Sequence, residues 1–374
     1  MKIVIDENVS FAKEAFAQFG EVVLVEGRKI ANNLIKESDI LIIRSVTKVD
    51  NKLLDNSRVK FIGTATIGTD HVDKNAVNSK RITFVNAKGC NSNAVAEYVA
   101  TAILAISVKH NINLKNKSIG IIGFGNVGKK VEVLSKALGL NTLVNDPPLK
   151  AEGFNYNFVS LEEALKCDIV SFHVPLNISG IYKTVHLLEE HNINLIKKDA
   201  IILNTSRGSV LNNNVLLKKI NKDKNLTVLD VWENEPNCLP ELVNKVEIGT
   251  AHIAGYSYEG KVIGTKMIYD QLCDFLNEKP TWKPPIYEKV LKNYVYNNSV
   301  SFNSNMYNIT KDIYDIYSDS DSFKSQMALS NPASEFDEIR KNYKLRYEFP
   351  NYLVHLGKDN TKIENVKKMR FLLD

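Results

Sequence analysis

The sequence predicts an α/β protein with two doubly wound parallel sheets and a small α+β segment at its C-terminal end. Three observations carry this. Short apolar runs alternate with helical patterns through residues 1–97. The alternation restarts at Lys117 and runs to about residue 280. Pro280, Pro284 and Pro285 then introduce a stretch of different texture, rich in tyrosine, lysine and asparagine. Strands that alternate with helices pair in parallel, and helices cover the resulting sheet.

In chain order, Lys2–Ile5, Glu21–Val25, Asp39–Ile43, Lys60–Gly63 and Ile82–Val85 read as strands. They are short apolar runs bounded by polar residues. Phe11–Phe19 and Asp73–Ser79 have helical spacing, and Ala94–Val108 is a longer helix of alanines and aliphatics, suited to bridging two domains. Ser118–Ile122 is the next strand, followed by a glycine loop and a helix that Gly139 can end in a left-handed cap. Leu140–Asn145 is a strand, and Ser160 with Glu163 spells a capping box. Strands Ile169–Phe172, Ala200–Leu203, Thr227–Leu229 and Val246–Ile248 follow, then a helix from Tyr258 to Leu276. Beyond the prolines, Glu335–Tyr343 and Ile363–Phe371 read as helices and Tyr352–Leu356 as a strand. The expected division is residues 1–97 with about 265–285, residues 98–264, and residues 286–374.

Composition narrows the function. The chain is 374 residues long, enough for two or three domains, and its 44% hydrophobic and 24% charged content is that of a globular protein. No run of about 18 apolar residues suggests a membrane span. MKIVIDEN reads as an opening strand, where a signal peptide needs a long apolar core. Cys90, Cys167, Cys238 and Cys273 form no CxxC pair, which disfavours a zinc site or a disulfide framework and suits a reducing cytoplasm. A net charge of +5 is too small to imply nucleic acid and is compatible with an anionic small substrate. His71 lies among aspartates in TDHVD, but one histidine makes no metal-ligand set; helix capping by Asp70 is the simpler reading.

Gly123-Phe-Gly125-Asn126-Val127-Gly128 follows a strand and opens a helix, the context a dinucleotide fingerprint needs. The first glycine permits a tight turn, the second lets N–H groups approach a pyrophosphate, and the third lets helix and strand pack closely. Asp146 ends the next strand, 23 residues after Gly123. Its carboxylate can accept both ribose hydroxyls and would repel a 2′-phosphate, which favours NAD over NADP. As a plainer alternative, Asp146 is a turn residue before Pro147 and Pro148.

Three polar residues then follow three successive strands: Arg207 in NTSRG, Glu235 in WENEP and His252 in GTAHIAGY. A neutral histidine can take the hydroxyl proton of a hydroxy acid while a hydride leaves the same carbon. A glutamate on its far nitrogen fixes the tautomer and stabilises the imidazolium. An arginine grips a carboxylate with a planar fork. Taken singly, Arg207 also reads as a surface arginine, Glu235 as an exposed acid and His252 as a structural histidine. Their order behind a cofactor fingerprint favours the catalytic reading.

These motifs resemble the D-isomer-specific 2-hydroxyacid dehydrogenases over roughly residues 1–280. The resemblance implies a flavodoxin-like substrate domain, a Rossmann NAD domain, and catalytic roles for Arg207, Glu235 and His252. Asp6-Glu7-Asn8, the segments Arg44–Val49, Gly63–Asp73 and Gly89–Asn91, Tyr182-Lys183-Thr184, His252–Tyr256, Glu259-Gly260-Lys261, Phe336-Asp337 and Arg340–Tyr343 are similar to one branch of that family. That branch implies a small phosphorylated hydroxy-acid substrate and a cytoplasmic homodimer joined by a C-terminal dimerisation domain. It assigns substrate to Ser45, Thr66 and Tyr256. It assigns NAD to the glycine loop, Asp146, Val174, Pro175, Asp230 and Gly255. Arg44 and Lys48 are candidates for the phosphate; Arg340 is a third, placed to reach a partner subunit's site. Substrate is expected to bind in a cleft between the first two domains. Two alternatives stay open: a relative acting on another acid such as phosphoglycerate, and a non-catalytic NAD sensor.

Overall fold

The structure, a computed structural model, describes residues 1–286, 290–357 and 360–374. The chain forms two compact units, Met1–Asn91 with Ser257–Tyr287, and Ser92–Tyr256 with Glu288–Asp374. The boundaries fall at 91 and 256, where the sequence suggests 97 and 264. The C-terminal segment belongs to the second unit.

The first unit holds β1 (Lys2–Asp6), β2 (Glu21–Val25), β3 (Ile40–Ile43), β4 (Phe61–Thr64) and β5 (Thr83–Asn86). All pairs are parallel, in the flavodoxin-like order β2-β1-β3-β4-β5. Successive residues of a strand face opposite sides. Ile3, Ile5, Ile40, Ile42 and Phe61 pack with Phe16 and with Ile268, Tyr269 and Leu272 of helix Tyr258–Leu276. Val4, Leu41, Ile43 and Ile62 pack on the other face with Leu54 and Val77. Two apolar faces explain why these strands read as unbroken hydrophobic runs. Helix Lys74–Ser79 starts at Asp73, whose Oδ1 accepts the N–H groups of Asn75 (2.9 Å) and Ala76 (3.1 Å). Asp73, not Asp70, is therefore the cap, because it sits immediately before the first helical residue.

The second unit holds β6 (Ser118–Ile122), β7 (Asn141–Asn145), β8 (Ile169–Phe172), β9 (Ile201–Asn204), β10 (Thr227–Leu229) and β11 (Ile248–Gly249). The sheet is parallel, in the order β11-β10-β9-β8-β6-β7. A lone parallel bridge between Val144 and Phe158 extends it past β7, so the outer strand of a Rossmann sheet survives here as one bridge. Ile119, Ile121, Ile169, Ile201 and Val228 share one core cluster with helices Ser92–Lys109 and Asn126–Ala137. Ile122, Val170, Phe172, Ile202 and Leu229 share another with helices Asn213–Asp223 and Pro240–Lys245.

The C-terminal segment contributes β12 (Lys292–Val295), β13 (Tyr352–His355) and β14 (Leu372–Leu373), a parallel sheet in that order. Helices Phe302–Ile313, Ile316–Met327 and Pro332–Lys341 precede β13. The first two have no counterpart in the sequence reading. Asparagine, serine and aspartate dominate them and are poor helix formers. Met306, Ile309, Ile316, Phe323 and Met327 are nevertheless buried, so packing decides. The predicted helix Ile363–Phe371 stops at Lys368, with Arg370 in the left-handed region (φ 73). Helix Ser92–Lys109 is buried on nearly its whole circumference, as expected of a helix apolar all round. The C-terminal segment supplies part of that cover: Tyr314 packs on Tyr98 with ring centroids 6.1 Å apart.

Arg370 ties this arrangement together. Its Nη1 donates to Glu97 Oε1 (2.6 Å) and its Nη2 to Glu348 Oε2 (2.9 Å). Burial pushes the Glu97 carboxyl up to about 8; Arg370 opposes the rise and Glu348 adds to it. All four cysteines are buried and free. Among the described residues no helix is long and apolar enough to cross a membrane, and no group of three or more His, Cys, Asp or Glu could hold a metal.

Candidate active site

The second sheet reverses strand order at β6 and β8, and open α/β sheets bind ligands at the carboxyl ends flanking such a point. The glycine loop leaves β6 there. Gly123 has φ +96, and a Cβ on it would lie 2.6 Å from the His173 carbonyl oxygen and 2.9 Å from Val174 Cγ1. A Cβ on Gly128 would lie 2.0 Å from the Gly123 carbonyl oxygen. A Cβ on Gly125 would meet nothing within 4 Å. The protein's own packing thus explains Gly123 and Gly128, whereas none of the described residues crowds Gly125. Its open side lies at the start of the 12-residue helix Asn126–Ala137, where the N–H groups of Asn126 and Val127 have no intrahelical acceptor. A pyrophosphate fits that description.

Asp146 helps to shape the loop. Its Oδ2 accepts the Phe124 N–H (2.7 Å), and its Oδ1 caps helix Pro147–Ala151 through the Leu149 N–H (3.0 Å). Its turn role and its candidate ribose role coexist, because each carboxylate oxygen retains a second acceptor position. Val174 adjoins the loop, as noted; the Pro175 carbonyl accepts the Thr184 hydroxyl at 2.5 Å.

Arg207, Glu235 and His252 follow β9, β10 and β11, three adjacent strands. His252 Nδ1 and Glu235 Oε1 are 2.5 Å apart, and Glu235 Oε2 accepts the Trp232 N–H at 3.1 Å. Burial alone would raise the Glu235 carboxyl. The charge and hydrogen bond of His252, the Trp232 N–H and the charge of Arg340 outweigh it and hold the group below the usual range. Glu235 is a carboxylate at neutral pH, and His252 Nε2 is the nitrogen left for proton exchange. Arg207 Nη1 donates to the Ser206 carbonyl (2.7 Å). The next residue, Gly208, packs so closely that a Cβ would lie 1.9 Å from the Trp232 carbonyl carbon. The arginine loop therefore presses on the loop that carries Glu235.

His252 has a left-handed backbone, φ 56, which its surroundings must impose. Asp230 imposes it. Its carbonyl accepts the His252 N–H (2.7 Å), and its buried carboxylate accepts the Thr250 hydroxyl (2.7 Å), the Ile253 N–H (2.7 Å) and the Ala254 N–H (3.0 Å). Tyr98 donates in turn to Thr250 (2.7 Å), and Trp232 Nε1 donates to the Thr250 carbonyl (2.8 Å). Gly255 and Tyr256 continue this loop. The sequence reading missed the network, since strand-end patterns do not show which residue backs which. It also missed His173, which follows β8 as the other polar residues follow their strands. Its ring meets Ser171 (2.8 Å) and Thr205 (3.2 Å), and burial lowers its pKa to about 3.

In the first unit, Ser45 follows β3 and is exposed; Thr66 follows β4. The Thr66 hydroxyl meets that of Thr64 (2.8 Å), which meets His71 Nε2 (3.2 Å). Arg44 is partly buried next to Ser45. Lys48 is 81% exposed and pairs with Asp50 at 3.4 Å, a solvated contact. Arg340 stands over Tyr256 of its own chain, its guanidinium carbon 5.9 Å from the ring centroid. It is thus occupied within its own unit, where the sequence reading sends it toward a partner's site.

A histidine paired with a glutamate, in a sheet whose glycine loop leaves room for a pyrophosphate, would suit hydride exchange with a hydroxy acid. The class is that of the nicotinamide-dependent dehydrogenases. Residues 91–254 match the family described as D-isomer specific 2-hydroxyacid dehydrogenase, NAD binding domain, and residues 287–369 match a domain of unknown function, DUF3410. The erythronate-4-phosphate dehydrogenase of Tolumonas auensis is 40% identical over 370 residues, 97% of each chain. That of Shewanella sp. strain ANA-3 is 42% identical over 357 residues, 93% of each chain. An NAD-bound 3-phosphoglycerate dehydrogenase structure from Entamoeba histolytica aligns with a TM-score of 0.64 and 25% identity, over 77% of this chain and 98% of that one. The chain belongs to the erythronate-4-phosphate dehydrogenases, within the D-isomer-specific 2-hydroxyacid dehydrogenase family, and is an NAD-dependent enzyme acting on a CH–OH group.

Proposed function

We propose that the enzyme oxidises 4-phospho-D-erythronate to (R)-3-hydroxy-2-oxo-4-phosphooxybutanoate, on the route to pyridoxal 5′-phosphate. The 2.5 Å Glu235–His252 contact at the end of a dinucleotide-binding sheet carries the reading. The relatives named above supply the substrate.

In this reading Arg207 holds the C1 carboxylate with its guanidinium fork. His252 Nε2 takes the proton from the C2 hydroxyl as the C2–H bond breaks, and Glu235 stabilises the imidazolium that forms. NAD supplies the hydride acceptor. Gly123, Gly125, Asn126, Val127 and Gly128 hold its pyrophosphate and Asp146 its ribose. Val174, Pro175 and Gly255 would contact it, and Asp230 acts by fixing the loop that carries His252 and Gly255. Ser45, Thr66 and Tyr256 bond substrate oxygens. Arg44 is the remaining candidate for the phosphate in the first unit; a dianion calls for such a cation. The enzyme works as a cytoplasmic homodimer, with residues 286–374 as the dimerising part.

The test is NADH formation by the purified enzyme with 4-phosphoerythronate or 3-phosphoglycerate. The reading expects 4-phosphoerythronate to be the better substrate by kcat/KM, and the reverse order would replace it with another member of the family. If the wild type and His252→Asn both bind NAD and both leave every 2-hydroxy acid unreacted, the protein is a sensor instead.

A further inference from the structure

The C-terminal segment reaches the catalytic loop through an aromatic stack. Phe323, on helix Ile316–Met327, stacks on Trp232 with ring centroids 5.3 Å apart. Phe336, on helix Pro332–Lys341, packs edge-on against Phe323 at 6.1 Å. Trp232 is also the residue whose N–H holds Glu235. Residues four apart on a helix share a face, so Phe336 carries Arg340 to the same side. There the guanidinium lies 5.9 Å from the centroid of the Tyr256 ring, and a side-chain hydrogen bond joins Arg340 to Tyr256. The charge of Arg340 also acts on Glu235. Its Nε is buried with no hydrogen-bond partner. Tyr343 packs edge-on against Tyr256 at 5.9 Å, and Arg346 Nη2 donates to the Ala254 carbonyl at 2.7 Å.

We infer that Arg340 is a positioning residue for the dehydrogenase reaction: from the C-terminal segment it sets Glu235 against His252 and holds the Tyr256 side chain. The inference rests on the catalytic roles proposed for that pair. Arg340 acts on the reacting atoms through the Tyr256 ring it stands over and through its charge on Glu235. A guanidinium can serve two partners at once with its planar fork, whereas an ammonium is a single point of charge. The charged and titratable groups around Glu235 are His252, Arg340 and Cys238, and those beside Arg340 are Tyr256 and Asp337. Removing that positive charge lets the Glu235 carboxyl rise, because Arg340 is one of the groups that hold it down, and protonation of Glu235 then sets in at higher pH.

The test compares full-length wild type, Arg340→Gln and Arg340→Lys. NAD affinity is measured by calorimetry, and kcat/KM against pH with whichever 2-hydroxy acid the wild type oxidises fastest. Expected results are NAD affinity unchanged in both variants and a kcat/KM loss of about tenfold or more in Arg340→Gln. The acid limb of the Arg340→Gln profile should move to higher pH. Arg340→Lys should return the limb to the wild-type position, because it restores the charge. An unmoved limb in Arg340→Gln overturns the inference. If KM alone rises, Arg340 is a substrate contact instead; if NAD affinity falls in parallel, its role is structural. Failure of the wild type on 4-phosphoerythronate would sink the substrate reading and leave this comparison intact.

Discussion

The two large sheets share an order of strands, 2-1-3-4-5 counted within each, with one further strand in the second. Their strand ends differ in kind. Those of the first sheet carry the hydroxyls of Ser45 and Thr66 beside the partly buried Arg44, and the Thr66 hydroxyl meets that of Thr64, which meets His71. Those of the second carry Arg207, Glu235 and His252, with Asp230, Thr250, Tyr98 and Trp232 beneath them. A hydroxyl can sit at a loop with one partner, whereas a partly buried charge needs a satisfied polar network behind it. The fold offers the same positions twice, and the polar backing differs between the two sets.

The contrast breaks most sharply at His252. His252→Asn should lower kcat/KM by about 100- to 10,000-fold with NAD binding intact, as expected for loss of a general base. Calorimetric NAD titration beside steady-state rates checks both halves. Asp230→Ala should come next, because it orphans the buried Ile253 and Ala254 N–H groups. Each orphaned buried donor costs about 1–3 kcal/mol, so urea unfolding should show a loss of several kcal/mol together with poor turnover. Gly208→Ala forces two loops apart and should cost about 1–3 kcal/mol in the same assay.

Glu97 sharpens the comparison through pH. Its carboxyl stands near 8 in the folded chain against an ordinary 4.5, so the folded state binds the extra proton between those values. Its contribution is therefore fully present below pH 4.5 and lost as pH rises to about 8. Glu97→Gln should flatten that part of the stability–pH curve, measured by urea midpoints across the range. The smallest effect belongs to the first unit. Thr66→Val removes one hydrogen bond and should raise KM by about tenfold with the fold unchanged, and Lys48→Ala should change neither.

Much of this was legible in the sequence because parallel strands buried on both faces are continuous apolar runs. Ser118–Ile122, Ile169–Phe172 and Thr227–Leu229 need no adjustment, and helix Tyr258–Leu276 has the predicted ends. The residues after β9, β10 and β11 stood out as polar groups at the ends of apolar runs. Less local features did not. Helix Ala94–Val108 is apolar all round, so its pattern points to no particular neighbour. Helices Phe302–Ile313 and Ile316–Met327 form on tertiary packing against their own propensity. Asp70 and Asp73 are both plausible caps until one residue decides where the helix begins. Asp230 and Arg340 act through other side chains, and no spacing announces such a relation.

Helix Ser92–Lys109 carries a consequence for engineering. The recognised dehydrogenase domain ends at residue 254 and the C-terminal domain starts at 287, which makes residue 287 look like a cut site. It is a poor one. A chain truncated there would present Tyr98 and the turns around it to water, a sticky apolar ridge. It would also leave Glu97 without Arg370. A chimaera that borrows this dehydrogenase domain must carry its own tail with it.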